Sequence, residues 1–558
     1  MKLRIEPLAA VGIGSFLLCA CAAFMGCDNS SVVVTDDQLD ELTSRLSAEG
    51  SDETEQLAQA SSRRRTMRQA QRQPVGTAVA PAAPAATKPA EPKKHEPLFV
   101  DWPRPEFVVM VTGQQQGYIE PCGCTGLANQ KGGLARRQTF VRQMLLKEKR
   151  WPVVALDVGN QVRRFGRQQE IKFQMGVEGL KKIGYHAVGF GPDDLRLSVG
   201  ELVAATAAEE GNDSLFVCAN VAVLDESLTA KYRVVKAGNK TIGITSVMGN
   251  EERKKIQSDE ILHTSAEEAL KTVWPKLAAA KCDLYILLAQ ASLEESAAIA
   301  QKFPYFDVVV TGGGQGEPTY QPEKIPNTKS VMVQVGTKGM YAGVIGYFSE
   351  GNKRLRYQRV PLDDRFADSE DMLQLMSSYQ DQLQEAGLEG LGLRPLPHPS
   401  GHEFVGSHAC GDCHTTAYAI WKKTGHAHAT DSLVNPGERS DIQRHFDPEC
   451  LSCHVTGWNP QKFFPYKTGY ESLEGSMAMH GSGCENCHGP GSAHVAAESG
   501  EIKATAAQIE KLRAQMRLPL AEAERRCIEC HDVDNSPDFH VRGAFEKYWE
   551  KVRHEGKD

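Results

Sequence analysis

The sequence predicts a multidomain protein in which an α/β sandwich is followed by a mainly α, loop-rich domain, and three observations predict it. At 558 residues the chain exceeds one ordinary domain. From Phe107 to about Pro361, short β-branched runs alternate with helical stretches, the pattern of a largely buried sheet covered by helices. Eight of the fifteen cysteines then fall in four tight pairs after residue 409, and fourteen of the seventeen histidines lie at or beyond His398. A histidine-rich, cysteine-paired tail beside a histidine-poor body implies two domains with separate chemistry. The net charge of -8 and the 41% hydrophobic content supply material for cores and no basic bias, so nucleic-acid partners are not expected.

Residues 1–27 read as an export signal, because Lys2 and Arg4 precede an apolar run from Leu8 to Met25 and the small residue Gly26 precedes Cys27. Phe24-Met25-Gly26-Cys27 resembles the cleavage box of bacterial lipoproteins, which implies a lipidated Cys27; Leu18-Cys19-Ala20-Cys21 is a competing match. An uncleaved anchor is the other reading, since the run is about long enough to span a bilayer. Both place the protein in the periplasm or cell envelope, membrane-anchored through its N-terminus. Residues 28–104 are polar and repetitive, with Ser61-Ser62-Arg63-Arg64-Arg65 and an Ala/Pro stretch from Val79 to Pro92, and are expected to form a disordered tether.

The α/β domain is expected over residues 105–362. Its strands are predicted at Phe107 to Val111, Pro152 to Asp157, Leu215 to Val217, Thr241 to Val247, Leu284 to Leu288, Phe306 to Thr311 and Val331 to Val335, with edge strands at Gly343 to Phe348 and Leu355 to Val360. A helical connector is expected over 363–400. There Met372, Leu375, Met376, Tyr379 and Leu383 recur at helical spacing, Asp368 or Ser369 offers a cap, and Gly387 offers a stop.

Residues 401–558 hold Cys410-x-x-Cys413-His414, Cys450-x-x-Cys453-His454, Cys484-x-x-Cys487-His488 and Cys527-x-x-Cys530-His531. This spacing lets two thiols form thioethers to haem vinyl groups while the next histidine turns onto the iron, so four covalently bound haem c groups are expected. Zinc is the competing reading of paired cysteines, but zinc does not require a histidine directly after every second cysteine.

Cys450-Leu-Ser-Cys-His-Val-Thr-Gly457 and Gly483-Cys-Glu-Asn-Cys-His-Gly-Pro-Gly491 resemble the tetrahaem cytochrome c-554 family. Trp421-Lys-Lys-Thr-Gly-His426, Asn535-Ser-Pro-Asp-Phe539 and Tyr548-Trp549 extend the resemblance over most of 402–558. It implies closely packed haems, most with two histidine ligands, passing electrons between redox partner proteins. It also implies distal ligands at His426, His494 and His554; His408, His428, His445, His480 and His540 are further candidates, while His398 and His402 read as linker residues. In the family the haem of the second motif, here that of His454, can lack a second protein ligand. His480 is the residue available to close that site.

The middle domain resembles, in order of motifs, the calcineurin-like metallophosphoesterase domain of periplasmic 5'-nucleotidases. Thr112-Gly-Gln114-Gln-Gln116, Leu156-Asp-Val-Gly-Asn160, Gly191-Pro-Asp-Asp194, Leu288-Ala-Gln290 and Gly312-Gly-Gly-Gln315 stand where that family has its metal-binding motifs. Two-metal hydrolysis needs carboxylates and imidazoles to hold ions about 3.5–4 Å apart, and amides do not replace several of them at once. The fold is therefore expected without the reaction. Near the same mouth stand Cys122 and Cys124, either a second metal or redox site, with Glu120, Asp193 or Asp194, or structural thiols that pair as a disulfide. Cys218 and Cys282 read as buried small hydrophobes.

The expected function is electron transfer, with no catalytic residue assigned. Two alternatives are an oxidoreductase acting on a small nitrogen compound at an open haem iron and, disfavoured by the missing ligands, a metal-dependent phosphoesterase. An electron-transfer protein fits the residues better than a hydrolase does.

Overall fold

Strands β1 (Phe107–Thr112), β2 (Val153–Asp157) and β3 (Tyr185–Val188) run parallel, joined through α1 (Leu134–Thr139) and α2 (Arg167–Ile183). β4 (Val221–Val223) leads into the hairpin of β5 (Arg233–Ala237) and β6 (Lys240–Met248), and β7 (Ile261–His263) pairs back on β4. Helices α3 (Ala266–Ala279) and α4 (Leu293–Lys302) then flank β8 (Leu284–Gln290), which is followed by β9 (Val308–Thr311). Last come β10 (Glu323–Lys324), β11 (Val331–Gln334), β12 (Tyr341–Tyr347) and β13 (Leu355–Pro361). This computed structural model describes residues 95–121, 130–207, 214–350, 353–437, 440–533 and 535–555. The expected export signal, Cys27, nearly all of the expected tether, and Cys122 and Cys124 lie outside the described residues.

The strands form a five-stranded sheet ordered β13-β12-β1-β2-β3 and a six-stranded sheet ordered β10-β11-β9-β8-β6-β5. Two-residue alternation decides which face each side chain serves. In β1, Phe107, Val109 and Val111 join Ile242, Ile244, Ile286, Leu288, Val308 and Val310 between the sheets. Val108 and Met110 face the other way, against Leu134, Phe173, Val177 and Leu180 of α1 and α2. On the far side, Leu287 and Ala289 of β8 pack on Leu270, Val273 and Leu277 of α3. The result is a helix–sheet–sheet–helix sandwich, the α/β architecture expected.

Two details depart from expectation. Leu215–Val217 joins no ladder and makes only single bridges, Val188 to Phe216 and Val217 to Ala230. The segment expected at an edge, Gly343 to Phe348, instead forms β12, whose seven residues are all buried between β1 and β13; of the two strands expected at an edge, β13 alone lies at one. Its alternation was masked because both of its faces are covered.

Helix α5 (Glu370–Gly390) carries Met372, Met376, Tyr379 and Leu383 into the outer layer of the five-stranded sheet. Gly387, at φ 58°, kinks the helix, which continues to Gly390. Beyond it, short helices and loops enclose a small core of Phe404, Leu433, Leu451, Val455, Trp458, Tyr470 and Met479. Ile442 and Phe446 of this region pack instead against the α/β domain. All described residues belong to one compact unit, Lys94–Asp558. No described helix is long and apolar enough to cross a membrane.

Candidate functional site

Each Cys-x-x-Cys-His motif begins in or beside a short helix, so cysteine i and histidine i+4 fall on one side of a turn. The four helices are α6 (Ser407–Gly411), α7 (Pro448–His454), α8 (Cys484–His488) and α9 (Leu520–Ile528). The amide N–H of His414 donates to Cys410 O at 2.9 Å, and that of His531 to Cys527 O at 2.8 Å. Glu485, 1% exposed, fastens the third motif by accepting from the amides of Val405, Gly406 and Gly491. The eight motif cysteines are all free of disulfides.

The motifs are interleaved in space. The Cys410 and Cys484 thiols are within hydrogen-bonding reach, as are those of Cys453 and Cys530, and Cys487 and Cys527 interact electrostatically. The third motif therefore touches the first and the fourth, and the fourth touches the second.

Three motif histidines are each faced by a second imidazole. The ring centroids of His414 and His494 are 6.2 Å apart, those of His426 and His531 are 5.9 Å apart, and those of His488 and His554 are 5.8 Å apart. Imidazole nitrogens bind a transition metal at about 2 Å, which places the centroids of two rings on opposite sides of one ion roughly 6 Å apart. All three residues named from sequence as distal ligands are thus brought opposite motif histidines. The pairing crosses the motifs, since His426, between the first and second, faces the histidine of the fourth.

The hydrogen bonds fix tautomers. His454 Nδ1 lies 2.8 Å from Ala429 O, and His488 Nδ1 lies 2.7 Å from Met516 O. A carbonyl only accepts, so Nδ1 carries the proton and Nε2 keeps its lone pair for a metal. His531 Nδ1 is 3.0 Å from Ser536 Oγ. Burial, reinforced by His531 and His454, pushes His426 down to about 4, and burial lowers His488 and His494 as well. These rings stay neutral at physiological pH, the form that ligates. The residues fit an axially ligated haem.

The other histidines are engaged differently. His480 donates Nε2–H to Leu473 O at 2.9 Å and packs on Tyr470, so its ring is not directed at the His454 site. His540 donates to His531 O, His408 and His428 are exposed near Asp412 and Asp431, and His445 stacks on Phe446. His398 and His402 lie in the Ser400 turn.

In the α/β domain, the loops after β1, β2, β3, β8 and β9 gather at the carboxyl ends of the parallel strands. Gln114 Nε2 donates to Gly312 O, Asn160 Nδ2 donates to Gln114 Oε1, both at 2.9 Å, and Gln290 abuts Gly312. Asp157 is turned inward, accepting from Thr112 Oγ1, Gly159 N and Gln161 Nε2. Asp194 accepts backbone amides of Asn160, Val162 and Gly191. The amides bond to one another and the carboxylates are committed to local donors, which does not fit a two-metal centre. Among the described residues the one grouping of three metal-capable side chains is His95, Asp363 and Asp364, where Arg365 already pairs with Asp363. Glu120 pairs with Arg444. Cys218 is buried, as expected; Cys282 is only half-buried.

This assembly brings together the thiols and facing imidazoles that would hold a covalently attached haem. Residues 409–489 match the family described as Cytochrome c554 and c-prime. Over 151 residues the chain is 31% identical to cytochrome c-554 of Nitrosomonas europaea, an alignment covering 24% of this chain and 60% of that protein. Both matches are to c-type cytochromes, a class that holds haem c covalently, and the family match lies within the motif-bearing region. Over 59% of its length the chain is similar to a 5'-nucleotidase precursor of Thermus thermophilus, at 16% identity and a TM-score of 0.43, covering 66% of the other. It is also similar to a sulfate thiohydrolase of the same organism, at 13% identity and a TM-score of 0.42, covering 53% and 63%. The chain thus spans less than two thirds of each of these relatives.

Proposed function

We propose that this protein is a membrane-associated electron carrier of the cell envelope, with four haem c groups in residues 402–555 relaying electrons between redox partner proteins. The observation that carries this reading is the set of three imidazole pairs spaced for a metal between them. A haem iron with two nitrogen ligands offers one-electron chemistry and no exchangeable position. The protein's own part is to keep His426, His488 and His494 neutral through burial, to orient the His454 and His488 rings by Nδ1–H donation to Ala429 O and Met516 O, and to keep neighbouring motifs in contact. The anchor and the envelope location rest on the sequence of residues 1–27.

The deciding experiment is the electron paramagnetic resonance spectrum of the oxidised, haem-quantified protein. Signals from at least three low-spin irons support the relay. Fewer haems than four by pyridine haemochromogen assay, or a mainly high-spin spectrum, sink it.

A second reading is reaction with a small nitrogen compound at the haem of His454. It is favoured by His480, the residue available to close that site, spending its Nε2 on Leu473 O. A high-spin signal amounting to one iron, together with carbon monoxide binding by the ferrous protein, would select it.

A further inference from the structure

The segment that leads into the second haem motif is held by the α/β domain. Asp447 caps helix α7 by accepting from Glu449 N, and its other contacts come from across the junction: Gln168 Nε2 at 2.8 Å and Tyr379 OH at 3.0 Å. Glu449, the residue before Cys450, receives Lys172 Nζ at 2.7 Å, Arg164 Nη1 at 2.8 Å and Gln169 Nε2 at 3.1 Å. Lys172 is only 5% exposed, and Arg164 is further fixed by stacking 3.8 Å over Phe463. Just upstream of Pro448, Arg444 clasps Glu120 through Nε and Nη2 at 2.7 and 2.8 Å.

We propose that the α/β domain sets the reduction potential of the haem attached at Cys450 and Cys453, with Lys172 and Arg164 as the cations that do so. This rests on the haem reading above. Reduction adds one negative charge to a haem, so a fixed cation beside it favours the reduced form and a fixed anion disfavours it. Lys172 and Arg164 balance Glu449 and Asp447; Lys172 and Asp447 are buried and weakly screened, whereas Arg164 is 44% and Glu449 28% exposed, so Lys172 is the stronger of the two cations. In general a unit charge about 10 Å from a redox centre, at an effective dielectric of about 20, changes its reduction equilibrium on the order of tenfold. The α/β domain, whose strand ends hold amides in place of metal ligands, thus acts as an electrostatic cap on one haem.

The test is a potentiometric titration of the full-length, haem-loaded protein, followed by visible and electron paramagnetic resonance spectra. Lys172→Met leaves the carboxylates uncompensated and lowers the midpoint of one haem on the order of tenfold in reduction equilibrium constant. Glu449→Gln, nearly isosteric, leaves the cations in excess and raises it. Lys172→Arg retains the wild-type value, and Lys302→Met, which removes a surface pair with Glu267, moves no haem. A purely structural role would shift Lys172→Met and Glu449→Gln in the same direction or disturb several haems together. Either result, or no shift, overturns the proposal. Mass spectrometry of the peptide containing Cys450 and Cys453 separates the two levels: a peptide without haem sinks the haem reading, whereas a haem-bearing peptide with an unmoved potential sinks only this inference.

Discussion

The α/β domain and the motif-bearing region hold themselves together by different means. The first buries three apolar clusters, in which strand after strand contributes residues with no exposed surface. The second has one cluster of seven buried residues and is otherwise pinned by capped turns, by Glu485 receiving backbone amides, and by histidine pairs. So few apolar side chains do not close a core over about 150 residues, and the proposed haems would supply the missing apolar mass. The comparison teaches that the same chain spends its side chains on apolar packing in one region and on paired thiols and imidazoles in the other.

That contrast breaks most visibly at the third motif, which touches the first and fourth. Replacing Cys484 and Cys487 by serine should remove one haem by pyridine haemochromogen assay and open residues 402–555 to trypsin. The α/β domain should survive as a protease-resistant fragment. If it unravels to the same extent, the two regions do not differ in kind.

The converse change is Leu288→Ala, which empties a fully buried position between the sheets. It should lower stability by about 2–5 kcal/mol in chemical denaturation. The haem absorption bands of the native protein should not change. An altered low-spin spectrum would mean that the inter-sheet core also positions the haems.

A third handle belongs to the α/β domain alone. Burial pushes Asp194 up to about 7, against the backbone amides that favour its charge. A carboxyl whose folded pKa lies above its unfolded value, about 4, binds its proton more tightly when folded. Its stabilisation is complete below pH 4 and is lost as pH rises through 7, on the order of 4 kcal/mol in all. Asp194→Asn should therefore flatten the dependence of Tm on pH between 4 and 8, with haem spectra unaffected. An unchanged slope would show that Asp194 is ionised throughout.

How far the sequence foretold this division depends on how local the signal is. The Cys-x-x-Cys-His motifs are contiguous, so they were legible outright, and resemblance to aligned segments singled out His426, His494 and His554. The crossed pairing of His426 with His531 was not legible, because it depends on how loops return across the two motifs that lie between them. Strand β12 reads as an edge from sequence, because burial on both faces erases the alternation that would place it inside the sheet. The junction was missed for the same reason of distance: Asp447-Pro448-Glu449 reads as an ordinary helix start. Nothing local announces that Glu449 meets Lys172, 277 residues away.

Arg444 is where the two regions are joined, and its removal sharpens the comparison with the smallest change. The side chain is 4% exposed and gives Nε and Nη2 to Glu120, with Nη1 and Nη2 also reaching Ser440 Oγ. Arg444→Ala strands the Glu120 carboxylate, which keeps about a quarter of its side-chain surface in solvent and so pays only part of the full penalty of a buried charge. The expected loss is about 1–3 kcal/mol. Its character matters more than its size. If two differently built regions unfold together because Arg444, Ile442 and Phe446 bolt them, calorimetry of the variant should resolve two transitions where the wild type shows one. A single transition merely shifted downward would mean that the remaining contacts, Lys172 with Glu449 and Tyr379 with Asp447, suffice to make the molecule cooperative.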